Sequence, residues 1–222
     1  MSLMLATRPN ATAPVNFPAK RSLGDSFELI GALMNFALNE EIYGEGEPAE
    51  YLYKVKTGCV RTYKVLNDGR RQVGAFYLPG DIFGIETGAD HTFSAEAICS
   101  GAVIVVKRSA IASRAMGDST LSKQMLDMTM AELKRAQGHV LLLIKSAQER
   151  VAGFLLDMAA RERKQGEVDL PMSRQDIADY LGLTIETVSR TLTHLEASSA
   201  IALPSARRVL LRNQGALARL NA

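Results

Sequence analysis

The sequence predicts an α+β fold in which an antiparallel β unit is followed by one long helix and then by two short helices and a β-hairpin. Three observations support this prediction. Between residues 39 and 108, alternating segments are separated by turn residues, which is typical of short antiparallel strands. Residues 119–146 contain no proline and place apolar side chains at spacings of three and four, which indicates a helix. Residues 173–211 contain two short helical periods followed by two short β segments.

The composition is that of a globular chain. Its 222 residues are 47% apolar and have a net charge of +2. This is enough for one large domain or two small ones, and the net charge indicates no particular partner. No segment approaches the roughly 20 apolar residues of a membrane span, and the N-terminus lacks the pattern of a signal peptide. We therefore expect a cytoplasmic protein without a membrane partner.

The cysteines and histidines form no recognisable metal or redox motif. Cys59 and Cys99 are far apart in the sequence, in strand-like surroundings. We therefore expect buried, inert thiols rather than a disulfide framework or a zinc site. His91, His139 and His194 occur at no metal-ligand spacing. The sequence predicts no metal and no cofactor.

The N-terminal residues precede the β unit. Residues 1–22 contain three prolines and little periodicity, which is typical of an extended or flexible arm. Residues 24–37 predict a short helix.

Turn residues divide the β unit into strands. Asn67-Asp68-Gly69 is a strong hairpin signal, and residues 72–78 form the predicted return strand. Residues 92–98 and 102–106 predict two further strands, separated by Ser100-Gly101. Strands at this regular spacing favour a small antiparallel barrel or roll.

The long helix has one apolar stripe. At about 1.5 Å per residue, residues 119–146 make a helix of roughly 40 Å. Such a stripe is buried either against the β unit or against its copy in a second chain, and the length of the helix favours the copy. The sequence therefore predicts a homodimer, with an interface formed by Leu126, Met130, Leu133, Val140 and Ile144.

Residues 173–195 predict two helices joined by a tight turn. Ser173 is a helix N-cap, and Asp176 three residues later resembles a capping box. Gly182 ends the first helix, because glycine enters the left-handed conformation without strain. Thr184 can then cap the second helix.

The second helix of the pair has two different faces. The apolar face must pack inward and consists of Val188, Leu192 and Leu195. The polar face consists of Glu186, Ser189, Arg190 and Thr193. Arg can bond a guanine with two hydrogen bonds, Glu can accept from a cytosine amino group, and a small Ser lets a helix approach a thymine methyl group. The pair is therefore either a DNA-reading helix-turn-helix or an ordinary helical hairpin with a solvated face, and spacing alone does not decide.

A basic hairpin after the two helices favours DNA binding. Residues 201–203 and 209–211 predict short strands, and Arg207 and Arg208 lie between them. After Glu196 the chain has four arginines and no acidic residue, an imbalance that is expected near phosphates. A helix-turn-helix followed by such a hairpin is a winged helix, so the pattern as a whole predicts a DNA-binding unit.

The predicted DNA contacts fall into two sets. The residues predicted to read bases are Glu186, Ser189 and Arg190. The residues predicted to contact the DNA backbone are Ser173, Arg174, Thr184, Thr187, Thr193, Arg207 and Arg208. Contacts of the second kind set the position of a protein on DNA, whereas base contacts provide specificity.

The order of these units resembles the CRP/FNR superfamily of bacterial transcription regulators over about residues 24–220. Five motifs match: Leu52-Tyr-Lys-Val-x-x-Gly58-x-Val-Arg61, Asp68-Gly-Arg-Arg-Gln72, Leu78-Pro-Gly-Asp-Ile-Phe-Gly84, Glu149-Arg-Val-Ala-x-Phe-Leu155 and Leu181-Gly-Leu-Thr-x-Glu-Thr-Val-Ser-Arg190. Ser189 stands where glycine is usual in the cyclic-AMP branch and is similar to the FNR and FixK branch. Within that branch, the chain most resembles FixK-type regulators.

This resemblance implies an N-terminal double-stranded β-roll of the cyclic-nucleotide-binding kind, a long dimerisation helix and a C-terminal winged helix-turn-helix. The implied boundaries are 1–22 for the flexible arm, 23–117 for the β-roll, 118–146 for the dimerisation helix and 147–222 for the DNA-binding domain.

The resemblance also implies a function. FixK-type proteins are homodimeric transcription regulators, not enzymes, and nitrogen fixation is among the processes they control. We expect an activator that works with RNA polymerase and binds a palindromic TTGAT-N4-ATCAA box. In that branch the Arg reads the G and the Ser meets the outer T, roles that fall here on Arg190 and Ser189.

The sensor sites of the family do not match this chain. Cyclic-AMP receptors hold the phosphate with an Arg-Ser pair where this chain has Asp90-His91-Thr92-Phe93. An anionic nucleotide that faces Asp90 without an arginine is unfavourable, and Glu86 alone is a weak match to a ribose-binding glutamate. Residues 1–58 contain no cysteine, whereas a cubane iron–sulfur cluster needs about four thiolates. We therefore expect a regulator that is active without a bound effector.

Two alternatives remain open. One is a ligand-gated regulator of the same fold whose β-roll binds a small effector, or a haem through His91 or His139. The other is a cupin-like metal enzyme, which is disfavoured because His91 is the only histidine in residues 1–138.

Overall fold

The computed structural model describes residues 23–161 and 166–221, so the arm predicted over residues 1–22 lies outside the described residues. The helices are α1 (Leu23–Ile30), α2 (Arg108–Gly117), α3 (Ser119–Leu143), α4 (Ala147–Arg161), α5 (Arg174–Leu181), α6 (Ile185–Ala197) and α7 (Gln214–Leu220). The strands are β1 (Ala32–Phe36), β2 (Glu41–Tyr43), β3 (Tyr51–Val65), β4 (Arg71–Tyr77), β5 (Ile82–Phe83), β6 (Ser94–Lys107), β7 (Glu167–Asp169), β8 (Ile201–Ser205) and β9 (Arg208–Leu211). The order is the predicted one: a β unit, a long helix, two short helices and a hairpin.

The N-terminal unit is an antiparallel β-roll built on its two longest strands, β3 and β6. These pair from Tyr51 opposite Lys107 to Tyr63 opposite Ser94. The sheet order is β1-β6-β3-β4, with β2 paired to β6 and β5 to β3. The predicted hairpin joins β3 to β4, and Gly69 at its turn has a φ of 81°. The predicted α+β fold class is confirmed.

One strand prediction was wrong, because residues 94–98 and 102–106 belong to the single strand β6, and residues 92 and 93 lie before it. Ser100-Gly101 does not form a turn but lies opposite a bulge of β3 at Gly58, which has a φ of 83°. A Cβ atom on Gly101 would lie 2.3 Å from the carbonyl oxygen of Thr57. The glycine is therefore required by the close approach of two backbones rather than by a chain reversal.

The helix predicted over residues 24–37 was half wrong. It ends as α1 at Ile30, and the following residues form strand β1, in which Ala32 pairs with Val105 of β6. Gly31 lies at the junction, where a Cβ atom would be 2.2 Å from Ile104 Cγ2. Pairing with the edge of β6 therefore overrides a local apolar pattern that fits a helix.

Helix α3 connects the two units and leaves most of its apolar stripe exposed. Its 25 residues span about 37 Å, and Asp118 caps its N-terminus by accepting from the Thr120 amide at 2.9 Å. Leu121 is buried at the roll. The large apolar side chains exposed along and just beyond the helix are Leu126, Met130, Leu133, Val140, Leu141 and Ile144.

The C-terminal unit packs against the roll through a shared core. Phe154 of α4 and Leu181 of α5 belong to the same buried cluster as Cys59, Phe76 and Ile98 of the roll. A three-stranded sheet in the order β7-β9-β8 completes the unit. Over residues 23–161 and 166–221, no helix is long and apolar enough to cross a membrane.

Candidate nucleic-acid interface

The turn between α5 and α6 has the geometry of a helix-turn-helix. The Ser173 hydroxyl accepts from the Asp176 amide at 3.1 Å, and the Asp176 carboxylate accepts from the Ser173 amide at 2.9 Å, so the predicted capping box is present. Gly182 ends α5 in the left-handed conformation, with φ 61° and ψ 40°. Thr184 then caps α6 by accepting from the Thr187 amide at 3.2 Å. These local interactions fix the angle at which α6 leaves α5.

Helix α6 buries one face and presents the other. Its inward side chains, Val188, Leu192 and Leu195, are at most 2% exposed. The four polar residues of the predicted outer face are all exposed, namely Glu186, Ser189, Arg190 and Thr193. The structure therefore brings the three predicted base-reading side chains together on one solvent-facing surface, as spacing had indicated.

The charges on this face are set by the helix itself. Backbone hydrogen bonding at the first turn of α6, together with the Thr184 hydroxyl and the nearby Arg190, lowers the pKa of Glu186. Arg190 Nε donates to the Glu186 carbonyl oxygen at 3.4 Å, and Thr193 Oγ1 donates to the Ser189 carbonyl oxygen at 3.1 Å. The ionised Glu186, an acceptor, and the cationic Arg190, a donor, thus lie one helical turn apart.

The predicted backbone-contact residues differ in how available they are. Arg207 is exposed near the tip of the β8–β9 hairpin. Arg208 is already ion-paired, with Nε 2.6 Å from Glu167 Oε1 and 3.6 Å from Asp169 Oδ1. Arg174 is half-buried and burial lowers its pKa; within the described part of the chain its Nη1 has no hydrogen-bond partner.

Sequence reasoning missed a cluster of ion pairs that joins the roll to α5. Asp176 Oδ1 accepts from Arg61 Nη1 at 2.5 Å and from Arg71 Nη2 at 2.8 Å, while its Oδ2 accepts from the Ser173 hydroxyl at 2.7 Å. Arg61 also bonds Glu96 at 2.8 Å, and Arg71 bonds Asp179 at 2.8 Å. Asp176 is 4% exposed and Arg61 is 7% exposed. The capping residue therefore also anchors the helix pair of α5 and α6, which we call the reader unit, on the roll.

Tyr180 of α5 is held from two sides. Its carbonyl oxygen accepts from His139 Nε2 of α3 at 2.7 Å and from Gln72 Nε2 of β4 at 3.3 Å. The His139 ring stacks on the Tyr180 ring with centroids 4.0 Å apart. Burial lowers the pKa of His139, which fits a neutral imidazole that donates to this carbonyl.

Two family patterns match the two halves of the chain. Residues 33–117 match the cyclic nucleotide-binding domain, and residues 149–220 match the Crp-like helix-turn-helix domain. The nitrogen fixation regulation protein FixK of Azorhizobium caulinodans is 54% identical over 198 residues, which cover 86% of this chain and 80% of that protein. The chain belongs to the CRP/FNR family and is of the FixK type. It is therefore a DNA-binding transcription regulator and not an enzyme, and its relatives regulate nitrogen fixation.

Two further proteins of the FixK type are similar to this regulator in sequence or structure, and a more distant one shares its fold. FixK of Rhizobium meliloti is 45% identical over 178 residues, which cover 80% of this chain and 81% of that protein. The structure of FixK2 from Bradyrhizobium japonicum superposes with a TM-score of 0.83 at 50% identity and covers 87% of this chain and 98% of that one. A CooA mutant from Carboxydothermus hydrogenoformans, at 19% identity with a TM-score of 0.75 over 97% of this chain and 98% of that one, shares the fold.

In this FixK-type chain, the segment that corresponds to the nucleotide-binding cassette is held by internal bonds. The Glu86 carboxylate accepts from the Thr92 amide at 3.2 Å and from the Thr92 hydroxyl at 2.9 Å. Arg108 donates to the carbonyl oxygens of Ala49 at 2.8 Å and Glu86 at 2.5 Å. Among the described residues, no group of three or more His, Cys, Asp or Glu side chains could hold a metal ion.

Proposed function

We propose that this regulator is a sequence-specific transcription activator that binds a palindromic TTGAT-N4-ATCAA-like box as a homodimer and without a bound effector. The observation that carries the proposal is the outer face of α6, where Glu186, Ser189 and Arg190 are exposed above a fully buried stripe. This is the arrangement by which a recognition helix enters a major groove.

The base contacts follow from the chemistry of these three side chains. Arg190 presents a planar guanidinium that can donate to both O6 and N7 of a guanine. Glu186, whose pKa is lowered, is an ionised acceptor for a cytosine amino group. Ser189 is small enough for the helix to approach the outer thymine methyl.

Phosphate contacts would surround this reading face. The hydroxyls of Ser173, Thr184, Thr187 and Thr193 lie at the starts or along the outer sides of α5 and α6, and Arg174 follows the first of them. Arg207 extends from the hairpin. Arg208 would have to exchange its two carboxylate partners for a phosphate, so we assign it a smaller share of the binding energy than Arg207.

The homodimer proposal rests on α3. Leu126, Met130, Leu133, Val140 and Ile144 are between 49% and 78% exposed, which is unusual for so many large apolar side chains along one helix. With Gln137, they follow the alternating spacing of four and three that forms the seam of a coiled coil. A second copy of α3 would cover this stripe and present two recognition helices to two half-sites.

Effector independence is supported by the interior of the roll. Tyr43, Tyr53, Tyr77 and Phe83 pack there with neighbouring centroids 5.1 to 6.1 Å apart, and His91 stacks on Tyr43 at 3.6 Å. Burial lowers the pKa of His91, so a neutral ring fills this space. These rings fill the interior of the roll, which supports a regulator that needs no effector bound there.

The experiment is selection of preferred duplexes from a random DNA library by purified protein with no added ligand. Enrichment of TTGAT and ATCAA half-sites at a fixed separation supports specificity, dimerisation and effector independence together. A library that stays random, or that is enriched only after a small molecule is added, contradicts the proposal.

A ligand-gated regulator is the second candidate, favoured by one cavity. A space of about 560 Å³ lies between α3 and α4, next to Tyr180. Its basic lining residues are Lys134, Arg135, Lys145 and Arg161, next to Asp157. Arg135 and Arg161 are ion-paired with Asp81, so an anionic effector would interact mainly with the two lysines. Calorimetry of the purified protein with anionic metabolites separates the two candidates. Heat of binding together with a gain in DNA affinity supports ligand gating. The absence of both effects supports a regulator that needs no effector.

The partners of this proposal are double-stranded DNA, a second copy of the chain and RNA polymerase. Activation requires the bound dimer to contact the polymerase on exposed surfaces of the roll or the winged unit. Transcription in vitro from a promoter with the box upstream tests this directly, since an activator raises transcript yield and a repressor lowers it.

A further inference from the structure

The two cysteines, which are distant in the sequence, lie directly opposite each other in the structure. Cys59 on β3 and Cys99 on β6 are antiparallel register partners beside the bulge at Gly58. Such partners have Cα atoms about 4.5–5.5 Å apart, inside the range of about 4.4–6.8 Å that a disulfide spans. Sequence spacing gave no hint of this pairing.

We propose that Cys59 and Cys99 form a redox modification site that closes to a cross-strand disulfide when a peroxide oxidises the protein. Both thiols are free in the structure, with Cys59 buried and Cys99 partly exposed. In a reducing cytoplasm such a bond is transient and reports oxidation rather than holding the fold together.

The exposure of the two thiols sets the order of the chemistry. Cys99 reacts first, because it is the partly exposed member of the pair. Cys59 is 1% exposed, and burial raises the pKa of its thiol, so it is the less reactive of the two thiols toward an oxidant in solution. Its role is to resolve the oxidised form of Cys99, its neighbour across the strands.

The steps balance with hydrogen peroxide as the only co-reactant. The Cys99 thiolate attacks one peroxide oxygen, the O–O bond breaks, and hydroxide leaves, which gives a sulfenic acid. The Cys59 sulfur then attacks the Cys99 sulfur, the S–S bond forms, and the S–O bond breaks. The departing hydroxide takes the proton of Cys59 and leaves as water. Two thiols lose two electrons in total, and one peroxide becomes two waters.

The site lies where strand movement would reach the reader unit. Opposed Cβ atoms in a sheet are about 4.5–5.5 Å apart, whereas those of a disulfide average about 3.8 Å, so closure draws β3 and β6 together by about 1 Å. Arg61, the 2.5 Å partner of Asp176, is two residues from Cys59. Ile98, next to Cys99, belongs to the core shared with Phe154 of the DNA-binding unit. Closure therefore loosens the ion pairs that orient α5, and we infer a lower affinity for DNA.

The test uses the full chain, reduced and then freed of reductant. Hydrogen peroxide should produce a species that has lost two hydrogens, and peptide mapping should link the Cys59 and Cys99 peptides. Dithiothreitol should reverse the change. Cys99→Ser is the main control because it alters the less buried member, and Cys59→Ala is the second variant. Neither should form the linked species, and both should keep the fold by circular dichroism.

The effect on DNA rests on the proposed function and has its own readout. By fluorescence anisotropy on a TTGAT-N4-ATCAA duplex, oxidation should weaken binding about fivefold or more, and Cys99→Ser should be insensitive. If the Cys59 and Cys99 peptides are linked but the affinity for DNA is unchanged, the proposed effect of the disulfide on DNA binding is wrong. Failure of the peptides to link overturns the site itself. Linkage in a protein that binds no duplex even when reduced contradicts the proposed function and leaves the site standing.

Discussion

Single side chains in this regulator serve more than one element at once. Asp176 caps α5 with one carboxylate oxygen and receives Arg61 and Arg71 of the roll with the other. Because it is 4% exposed, its charge is stabilised almost entirely by these partners. Removing its charge leaves each arginine with one acidic partner, Arg61 with Glu96 and Arg71 with Asp179, so the cost is the loss of charge-assisted hydrogen bonds inside a largely buried cluster.

Asp176→Asn tests this double role. Asparagine keeps an acceptor for the Ser173 amide but loses the charge that strengthens the bonds from Arg61 and Arg71, so the free energy of unfolding should fall by about 2 kcal/mol. Asp179→Asn is the matched control, because it removes a carboxylate of the same helix that has one arginine partner, and it should cost about 1 kcal/mol. Urea unfolding measures both, and equal losses would show that Asp176 is no special anchor.

The two arginines of the hairpin should differ in their contribution to DNA binding. Arg207→Ala should reduce the slope of log affinity against log salt by about 1, because it removes one phosphate contact. Arg208→Ala should change the slope less, since Arg208 is bonded to Glu167 and Asp169. Salt titrations of duplex binding give both slopes. A larger change in slope for Arg208→Ala would mean that Arg208 leaves Glu167 and Asp169 and contacts a phosphate when DNA binds.

His139 makes stability depend on pH. Burial lowers its pKa below the ordinary 6.5, so the folded state binds this proton less readily than the unfolded state. Its contribution is fully present above pH ~6.5 and is lost as pH falls through the lowered value. His139→Gln keeps a donor for the Tyr180 carbonyl, so its urea midpoint should fall less than that of the wild type between neutral pH and pH ~5. Parallel pH profiles would contradict the assignment.

At the scale of elements, the sequence predicted what depends on local periodicity and caps. The long helix, the 67–69 hairpin turn, the helix-turn-helix and the basic hairpin are all present. The strand β1 and the unbroken β6 were missed because both depend on partners distant in the chain. Gly31 and Gly101 have the sequence appearance of helix and turn residues, and only the packed neighbours show that they allow close approach.

Helix α3 has an exposed apolar stripe, which we propose is covered by α3 of a second chain. Leu133→Glu places a charge in the proposed seam and should shift the protein from dimer to monomer, because a buried unpaired charge is costly. Leu29→Glu is the matched control, since Leu29 on α1 is comparably exposed. Analytical ultracentrifugation measures the mass of each. A dimer that tolerates Leu133→Glu would remove α3 from the interface.

In the molecule as a whole, the reader unit packs directly against the roll and is not connected to it through the chain alone. They share one apolar core and the ion pairs around Asp176. Periodicity alone placed the three residues that we predict to read bases on one face of one helix, and that face is exposed. Periodicity could not predict their attachment to Arg61 and Arg71, because nothing in local spacing relates β3 and β4 to α5. Together with the filled interior of the roll, that attachment is our physical reason for expecting activity without an effector.

We propose above that a ligand-free dimer reads DNA through the outer face of α6. The most direct measurement is the affinity of purified, ligand-free protein for a TTGAT-N4-ATCAA duplex and for a scrambled duplex of the same composition. We predict much tighter binding to the box, and a loss of about 1–3 kcal/mol at the G position for Arg190→Ala, with Arg212→Ala, an exposed arginine outside α6, leaving base preference unchanged. Equal affinity for the two duplexes would contradict sequence-specific binding by the ligand-free protein.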